Sequence, residues 1–244
     1  IPWLVSGVLD KDHSYVIGDR LSDMELAKNM EIQGIQYKPK KMDWMCIRNR
    51  LTQINRSVMV FRKTKETKIS LRLILDASKE SYITTKIKFL DHMLEQISVH
   101  SGIYFKLVAA GDLDIDDHHT VEDIGIVLGE ALLKLIGNKC GISRFGFTLP
   151  MDESLSSCIL DISGRPYIDF NAKFKYQKVG DLSTEMIEHF FRSLAYSMKI
   201  TVHLIAKGTN DHHIAESIFK VFGRSLRQAI AIENNVLPSS KGIL

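Results

Sequence analysis

The chain has 244 residues, 45% of them hydrophobic, and a formal net charge of +3. That is enough for one large domain, or one domain and a fragment, with a sizeable core, and the balanced charge gives no electrostatic case for a nucleic-acid binder. No apolar run approaches the ~20 residues of a membrane span, no secretory signal pattern opens the chain, and the scattered Cys46, Cys140 and Cys158 fit a reducing, cytoplasmic setting rather than a disulfide scaffold.

The chain begins at Ile1 rather than Met, so a longer product is expected. Residues 1–54 read as a remnant with a linker, and residues 55–244 as the main domain. Ser14–Ile17 is a short apolar run ending in Gly18-Asp19-Arg20-Leu21-Ser22-Asp23. A helix with Met24, Leu26, Ala27 and Met30 on one side follows, then a strand at Gly34–Tyr37. Strand, acidic turn, helix and strand make one βαβ unit, with the turn at the strand's carboxyl end. Gly-Asp-x-x-x-Asp resembles the last motif of the haloacid-dehalogenase-like phosphatases. That resemblance implies a magnesium ligand at Asp19, with Asp23 as a second. The family's Asp-x-Asp nucleophile lies far upstream, and nothing before Asp10 supplies it, so no phosphatase activity is expected. The plain alternative is an acidic turn that caps a helix. Lys38–Lys41 and Arg48–Lys68 are rich in basic residues. They read as a solvated linker, because a nucleic-acid patch wants interleaved aromatics and only Trp44 and Phe61 are near.

From residue 55 the elements come twice. Val58–Phe61 and Ile69–Leu75 read as strands, the second alternating Ile69, Leu71, Leu73 and Leu75 against Ser70 and Arg72. A helix carries Phe89, Met93 and Ile97 on one face; Tyr104–Ala109 alternates as a strand; and His118–Ile136 has an apolar stripe at Val121, Ile124, Leu128, Leu132 and Leu135. Then Ser157–Ile162 and Ile168–Tyr176 read as strands, Thr184–Met198 as a helix, Thr201–Ala206 as a strand and His212–Ile230 as a helix. Two strands, helix, strand, helix in each half predicts an α+β fold from a duplicated half-domain, its sheets covered by helices on one side.

Both halves contain Asp-His-His-x-x-Glu, at 117–122 and 211–216, between a strand and a helix. Adjacent histidines cannot face the same way on a helix, whereas His118 and His119 lie four and three residues from Glu122 and both approach it. Each motif therefore offers splayed donors that can serve different ions. Asp117 and Asp211 are expected to cap these helices. The earlier helix of each half adds one more histidine at the matching place, His92 and His189. Imidazole with carboxylate suits Mn, Fe, Ni or Zn. The set His92, His118, His119, Glu122, His189, His212, His213 and Glu216 divides as three histidines and one carboxylate for each of two metals. His203, on the following strand, is left over as structural.

Phe-Leu-Asp-His-Met-Leu (89–94), Asp-Asp-His-His-Thr-Val-Glu-Asp (116–123), Pro-Met-Asp-Glu (150–153), Asp-Ile-Ser-Gly-Arg-Pro (161–166), the second Asp-His-His-x-x-Glu and the closing Pro-Ser-Ser-Lys-Gly (238–242) together resemble imidazoleglycerol-phosphate dehydratase. The resemblance runs from Arg56 to the end. With the remnant ahead of it, the whole is similar to the bifunctional histidinol-phosphatase/imidazoleglycerol-phosphate dehydratases of histidine biosynthesis, lacking most of the phosphatase half. It implies two Mn2+ per active site and a homo-oligomer of about 24 chains with sites between subunits. The implied reaction is loss of water from D-erythro-imidazole-glycerol phosphate to give imidazole-acetol phosphate. Its metal ligands match the eight residues already nominated. Its substrate carboxylate matches Glu66, and its phosphate-binding groups match Arg144, Arg165, Lys220, Ser239 and Lys241. One departure is Thr85-Lys86, where the family usually has Thr-Gly; if that turn needs positive φ, lysine costs about 1 kcal/mol.

The implied chemistry explains the residue types. The proton to be lost is not acidic and hydroxide leaves poorly, so metals on the ring nitrogens help as Lewis acids and template. A carboxylate must move the proton, a role expected of Glu216, with Glu66 as positioning group or alternate. Arginines and a lysine suit a phosphate dianion because charge-assisted bonds to it are strong. Two other classes stay open. A metal-storing or sensing assembly would bind metal without turnover. A dinuclear hydrolase would need a bridging carboxylate, which this histidine-heavy set does not favour.

Overall fold

The structure is a computed structural model that describes residues 10–11, 14–39, 42–44, 47–48, 51, 57–75, 80–137, 139, 141–146, 149–233 and 237–244. The chain divides into two compact units, Ile1–Asn55 and Arg56–Leu244.

The smaller unit holds β1 (Tyr15–Gly18), α1 (Leu21–Asn29) and β2 (Gln33–Gln36). The strands pair in parallel, Tyr15 opposite Gln33 through Gly18 opposite Gln36, as a βαβ unit requires. Gly34 lets α1 come close: a Cβ there would stand 3.0 Å from the Ala27 Cβ and the Met24 Sδ. Ala27 and Met30 are buried, but Leu26 is 43% exposed and does not share their face. The Asp23 carboxylate accepts the Arg20 backbone N–H at 3.0 Å, so this acidic group caps its own helix.

The larger unit begins with β3 (Ser57–Lys63), β4 (Thr67–Leu75), β5 (Tyr82–Thr84), α2 (Lys88–Ser101), β6 (Ile103–Gly111) and α3 (His118–Ile136). It continues with β7 (Phe145–Gly146), β8 (Leu149–Met151), β9 (Ser154–Asp161), β10 (Tyr167–Asn171), β11 (Lys178–Val179), β12 (Leu182–Ser183), α4 (Glu185–Met198), β13 (Thr201–Lys207) and α5 (Asp211–Ala229). The first sheet runs β3-β4-β6-β5; the second runs β10-β13-β9-β7, with β8 also on β9. Strand senses agree as well. β3 and β6 are antiparallel to β4, as β8 and β13 are to β9, while β5 and β10 lie parallel to β6 and β13. Alternation in β4 buries Thr67, Ile69, Leu71, Leu73 and Leu75, as the sequence pattern requires. β10 ends at Asn171 rather than at Tyr176. β5, β7, β8, β11 and β12 are too short to leave a readable period.

α3 packs on β4 and β3, α5 on β9, and the helices pack on one another as the pairs α3–α4 and α2–α5. The helices form a double layer between the sheets, an α+β arrangement with one helix-covered face per sheet. Two glycines let the pairs cross closely. A Cβ at Gly129 would lie 2.5 Å from the Leu194 carbonyl oxygen, and one at Gly223 3.0 Å from that of Ile97. Between the sheets sits an apolar core in which Phe190, Phe191, Phe219 and Phe222 from α4 and α5 touch, with ring centroids from 4.8 to 5.4 Å apart.

Candidate metal centre and active site

Each motif helix follows a strand with a glycine at its end, Gly111 closing β6 and Gly208 directly after β13. A Cβ on Gly111 would meet Thr120 of α3, and one on Gly208 would meet Ile214 of α5, so glycine is what lets each helix start hard against its strand. The expectation that Asp117 and Asp211 cap these helices is not met. Asp116 accepts the His118 N–H at 2.8 Å, and Asn210 accepts those of His212 and His213 at 2.9 and 3.4 Å. The aspartates reach instead to the segment before α4. Asp117 accepts the Ser183 N–H and hydroxyl at 2.6 and 3.0 Å, and Asp211 accepts the N–H groups of Lys175 and Tyr176 at 2.9 and 2.8 Å. Each aspartate is itself buried, and two distant donors leave its carboxylate better satisfied than a single cap bond would.

Because α2 lies along α5 and α3 along α4, six of the eight nominated residues form two triads that each join the halves. His92, His212 and Glu216 make one, and His118, Glu122 and His189 the other; in each the ligand atoms lie within 4.8 Å of one another. Glu216 stands 3.9 Å from the His92 Nε2 and 3.5 Å from the His212 Nε2. Glu122 stands 3.9 Å from the His118 Nε2 and 3.3 Å from the His189 Nε2. The His189 Nε2 is buried and, among the described residues, has no hydrogen-bond partner, a costly arrangement unless something else meets its lone pair. Two imidazoles and a carboxylate on one point fit a transition metal.

His119 and His213 belong to neither triad. The His119 Nδ1 faces both oxygens of Asp112, at 3.2 and 3.0 Å, and the His213 Nδ1 donates to the Glu153 Oε2 at 2.8 Å. These carboxylate contacts raise the pKa of both histidines. Asp112 carried no role in the sequence reading and Glu153 only a place in a quoted motif. Strand register is the signal that finds them, through the pairs Thr67–Gly111 and Leu155–Lys207. His203 pairs with Asp169 at 3.2 Å on β13 and β10, outside both triads.

Lys220, one helical turn after Glu216, donates to its Oε1 at 2.8 Å. Burial works to raise the Glu216 pKa, but the Lys220 hydrogen bond and charge, with His92 and His212, carry it below the ordinary carboxylate value. Glu216 is thus held ionised, the form that a ligand or a proton acceptor needs. Glu66 is exposed at the tip of the β3–β4 hairpin and lines a surface pocket with Lys65, Gly111 and Asp112. The hairpin is anchored from behind. The Thr67 hydroxyl donates to Asp123, whose other oxygen accepts from the Arg62 Nε at 2.9 Å, and the Thr64 hydroxyl accepts the Glu66 and Thr67 N–H groups at 3.1 and 2.9 Å.

Arg144 forms a bidentate pair with Asp161, at 2.6 and 3.0 Å, and donates to the Pro238 carbonyl at 2.8 Å. That brings the Ser239–Lys241 turn beside it, where the Ser239 hydroxyl accepts the Lys241 N–H at 3.2 Å. Arg165 is exposed in a turn braced by Ser163. Asp19 is exposed at the end of β1, in the smaller unit, and among the described residues no metal-type cluster includes it. Lys86 has φ +72°, so the Thr85-Lys86 turn does adopt the left-handed conformation. Among the described residues no helix is long and apolar enough to cross a membrane.

Residues 85–226 match the family model of imidazoleglycerol-phosphate dehydratase. The histidine biosynthesis bifunctional protein HisB of Buchnera aphidicola subsp. Acyrthosiphon pisum is 60% identical over 243 residues, which cover 100% of this chain and 68% of that protein. The HisB protein of Actinobacillus pleuropneumoniae is 52% identical over 97% of this chain and 68% of its own length. The crystal structure of imidazoleglycerol-phosphate dehydratase from Staphylococcus aureus superposes with a TM-score of 0.66 at 39% identity, covering 72% of this chain and 99% of that one. The enzyme from Pyrococcus furiosus gives 0.66 at 35% identity over 76% and 100%.

Proposed function

Because this chain belongs to the imidazoleglycerol-phosphate dehydratase family, hydro-lyases of histidine biosynthesis, we propose that its two triads hold a pair of manganese ions at which D-erythro-imidazole-glycerol phosphate loses water to give imidazole-acetol phosphate. The observation that carries this is the pair of two-histidine, one-carboxylate clusters, each drawn from both halves. The unmatched His189 Nε2 supports the fit of a metal. His119 and His213 complete the ligand sets from a neighbouring copy of the chain, in a homo-oligomer of about 24 chains with sites between subunits. Both are anchored by Nδ1 and lie outside their own chain's triads, which supports that assembly.

When bound, the ions supply Lewis acidity at the substrate's ring nitrogens. The chain's own groups do the rest. Glu216, kept ionised by Lys220, takes the proton. Glu66, held out on its braced hairpin, orients the substrate's polar end. Arg144, Arg165, Lys220, Ser239 and Lys241 bind the phosphate, the first kept in place by Asp161 and Pro238. The matched order and sense of the two sheets support descent from a duplicated half-domain. The parallel βαβ unit before Arg56 supports kinship with haloacid-dehalogenase-like phosphatases. With Asp23 committed to a helix cap, Asp19 is left as the one acidic group there for a magnesium ion, and this segment contributes no phosphatase activity. The enzyme works in the cytoplasm.

The test uses metal-stripped protein. Adding Mn2+ is expected to produce a large particle and conversion of imidazole-glycerol phosphate together. A particle without turnover would leave only the structural-metal reading, and turnover without metal would remove the metal pair from the mechanism.

A further inference from the structure

The two sheets can be aligned through their registers. Thr67 pairs with Gly111, and Leu155 pairs with Lys207, which places Ser154 beside Gly208. Gly111 and Gly208 hold the same post before their helices, so Thr67 corresponds to Ser154 and Glu66 to Glu153. Both glutamates are the second residue of a two-residue hairpin loop, Lys65-Glu66 and Asp152-Glu153. Yet they do different things. Glu153 is spent on its own half: it accepts from the His213 Nδ1 at 2.8 Å and from the Asn210 N–H at 3.2 Å. Glu66 makes no such contact with His119, although its charge acts on that ring.

The connection between strand and helix accounts for the difference. Three residues, Thr209–Asp211, separate Gly208 from the first motif histidine in the second half, and six, Asp112–Asp117, separate Gly111 from it in the first. The extra length supplies Asp112, whose two oxygens face the His119 Nδ1 at 3.2 and 3.0 Å. We propose that Asp112 and Glu153 are positioning carboxylates that fix the ring orientation of His119 and His213, and that Asp112, by taking this post in the first half, releases Glu66 to face the substrate. A carboxylate on one imidazole nitrogen settles the tautomer, orients the ring and makes the other nitrogen a better donor. Apart from Asp112, the carboxylate whose charge acts most on His119 is Glu66 itself. This deepens the metal reading given above and rests on it.

Asp112→Asn and Glu153→Gln keep shape and remove the charge. Mn2+ is titrated into each metal-stripped variant by calorimetry, and kcat and KM are then measured at saturating Mn2+. Both variants are expected to lose about 10–100-fold in Mn2+ affinity. Asp112→Asn is expected to lose a further tenfold or more in kcat relative to Glu153→Gln, and Asp112→Glu to recover most of both losses. Unchanged Mn2+ affinity in both variants would overturn the positioning role. Equal kcat losses would overturn the release of Glu66. An affinity loss matched by an equal fall in the urea midpoint of the metal-free protein would assign these carboxylates to folding instead. Failure of the unsubstituted protein to take up Mn2+ would remove the metal reading first, and this inference with it.

Discussion

The two triads share one composition and differ in what backs the carboxylate. In the first, the Glu216 side chain is 12% exposed and Lys220 stands one turn away at 2.8 Å. In the second, the Glu122 side chain is 38% exposed, and the residue one turn on is Ile126. A carboxylate that loses water needs a cation to stay ionised, and one that keeps water does not. The first triad is thus tied to the lysine proposed above for the phosphate, so on that proposal charge at the substrate's tail would be felt at one triad and not at the other.

The largest break in that comparison is Glu216→Gln. It is expected to cut kcat by about 10²–10⁴-fold while inorganic phosphate still binds by calorimetry; near-normal turnover would sink the assignment. Next come the helix seams beneath the triads. Gly129→Ala under the second triad drives a methyl to 2.5 Å from the Leu194 carbonyl, whereas Gly223→Ala under the first leaves 3.0 Å. Urea unfolding of the metal-free protein should show losses of about 3 and about 1 kcal/mol; equal losses would mean that the two seams are equally pliant. Lys220→Met is expected to raise KM about tenfold or more, as losing a charge-assisted bond does, whereas Ile126→Met at the matching place leaves KM alone. Lys86→Gly relieves the positive φ beside the first triad's α2 and should add about 1 kcal/mol to stability, read as a higher Tm.

The smallest effect concerns His100, whose pKa is lowered by burial, then by Lys220 and Arg224. The unfolded chain therefore binds this proton more readily, so stability falls as pH drops below the ordinary histidine value of about 6.5. His100→Gln should flatten that part of the pH dependence of the urea midpoint.

Much of this could be read from the sequence because the two halves print the same signal twice. The triad histidines His92 and His189 carry no motif of their own, and only the repeated pattern nominates them. The long strands and all four helices of the larger unit announced themselves by period. The pairing of helices across halves did not, since nothing in one helix's pattern says which neighbour its glycines admit; hence the triads' membership, and the exclusion of His119 and His213 from both, waited for the fold. The capping of α3 and α5 was misjudged for a related reason. A carboxylate before a helix is a good cap by local rules, but Asp117 and Asp211 had distant backbone donors that only packing supplies. Glu153 and Asp112 were hidden because their partners are set by register and loop length rather than by residue type.

Each triad takes one part from either half, so neither half holds a complete cluster. A free half would have to meet a second copy before it could close a triad, and its affinity for the ion would fall with dilution. Joining the halves in one chain turns that encounter into an internal one, at an effective concentration of about millimolar or above. An ion held there, as proposed above, would act as a clasp between two bodies already tethered. Cutting the chain between Ile136 and Phe145 should therefore leave the fragments able to bind metal, but only at protein concentrations high enough to replace the lost tether.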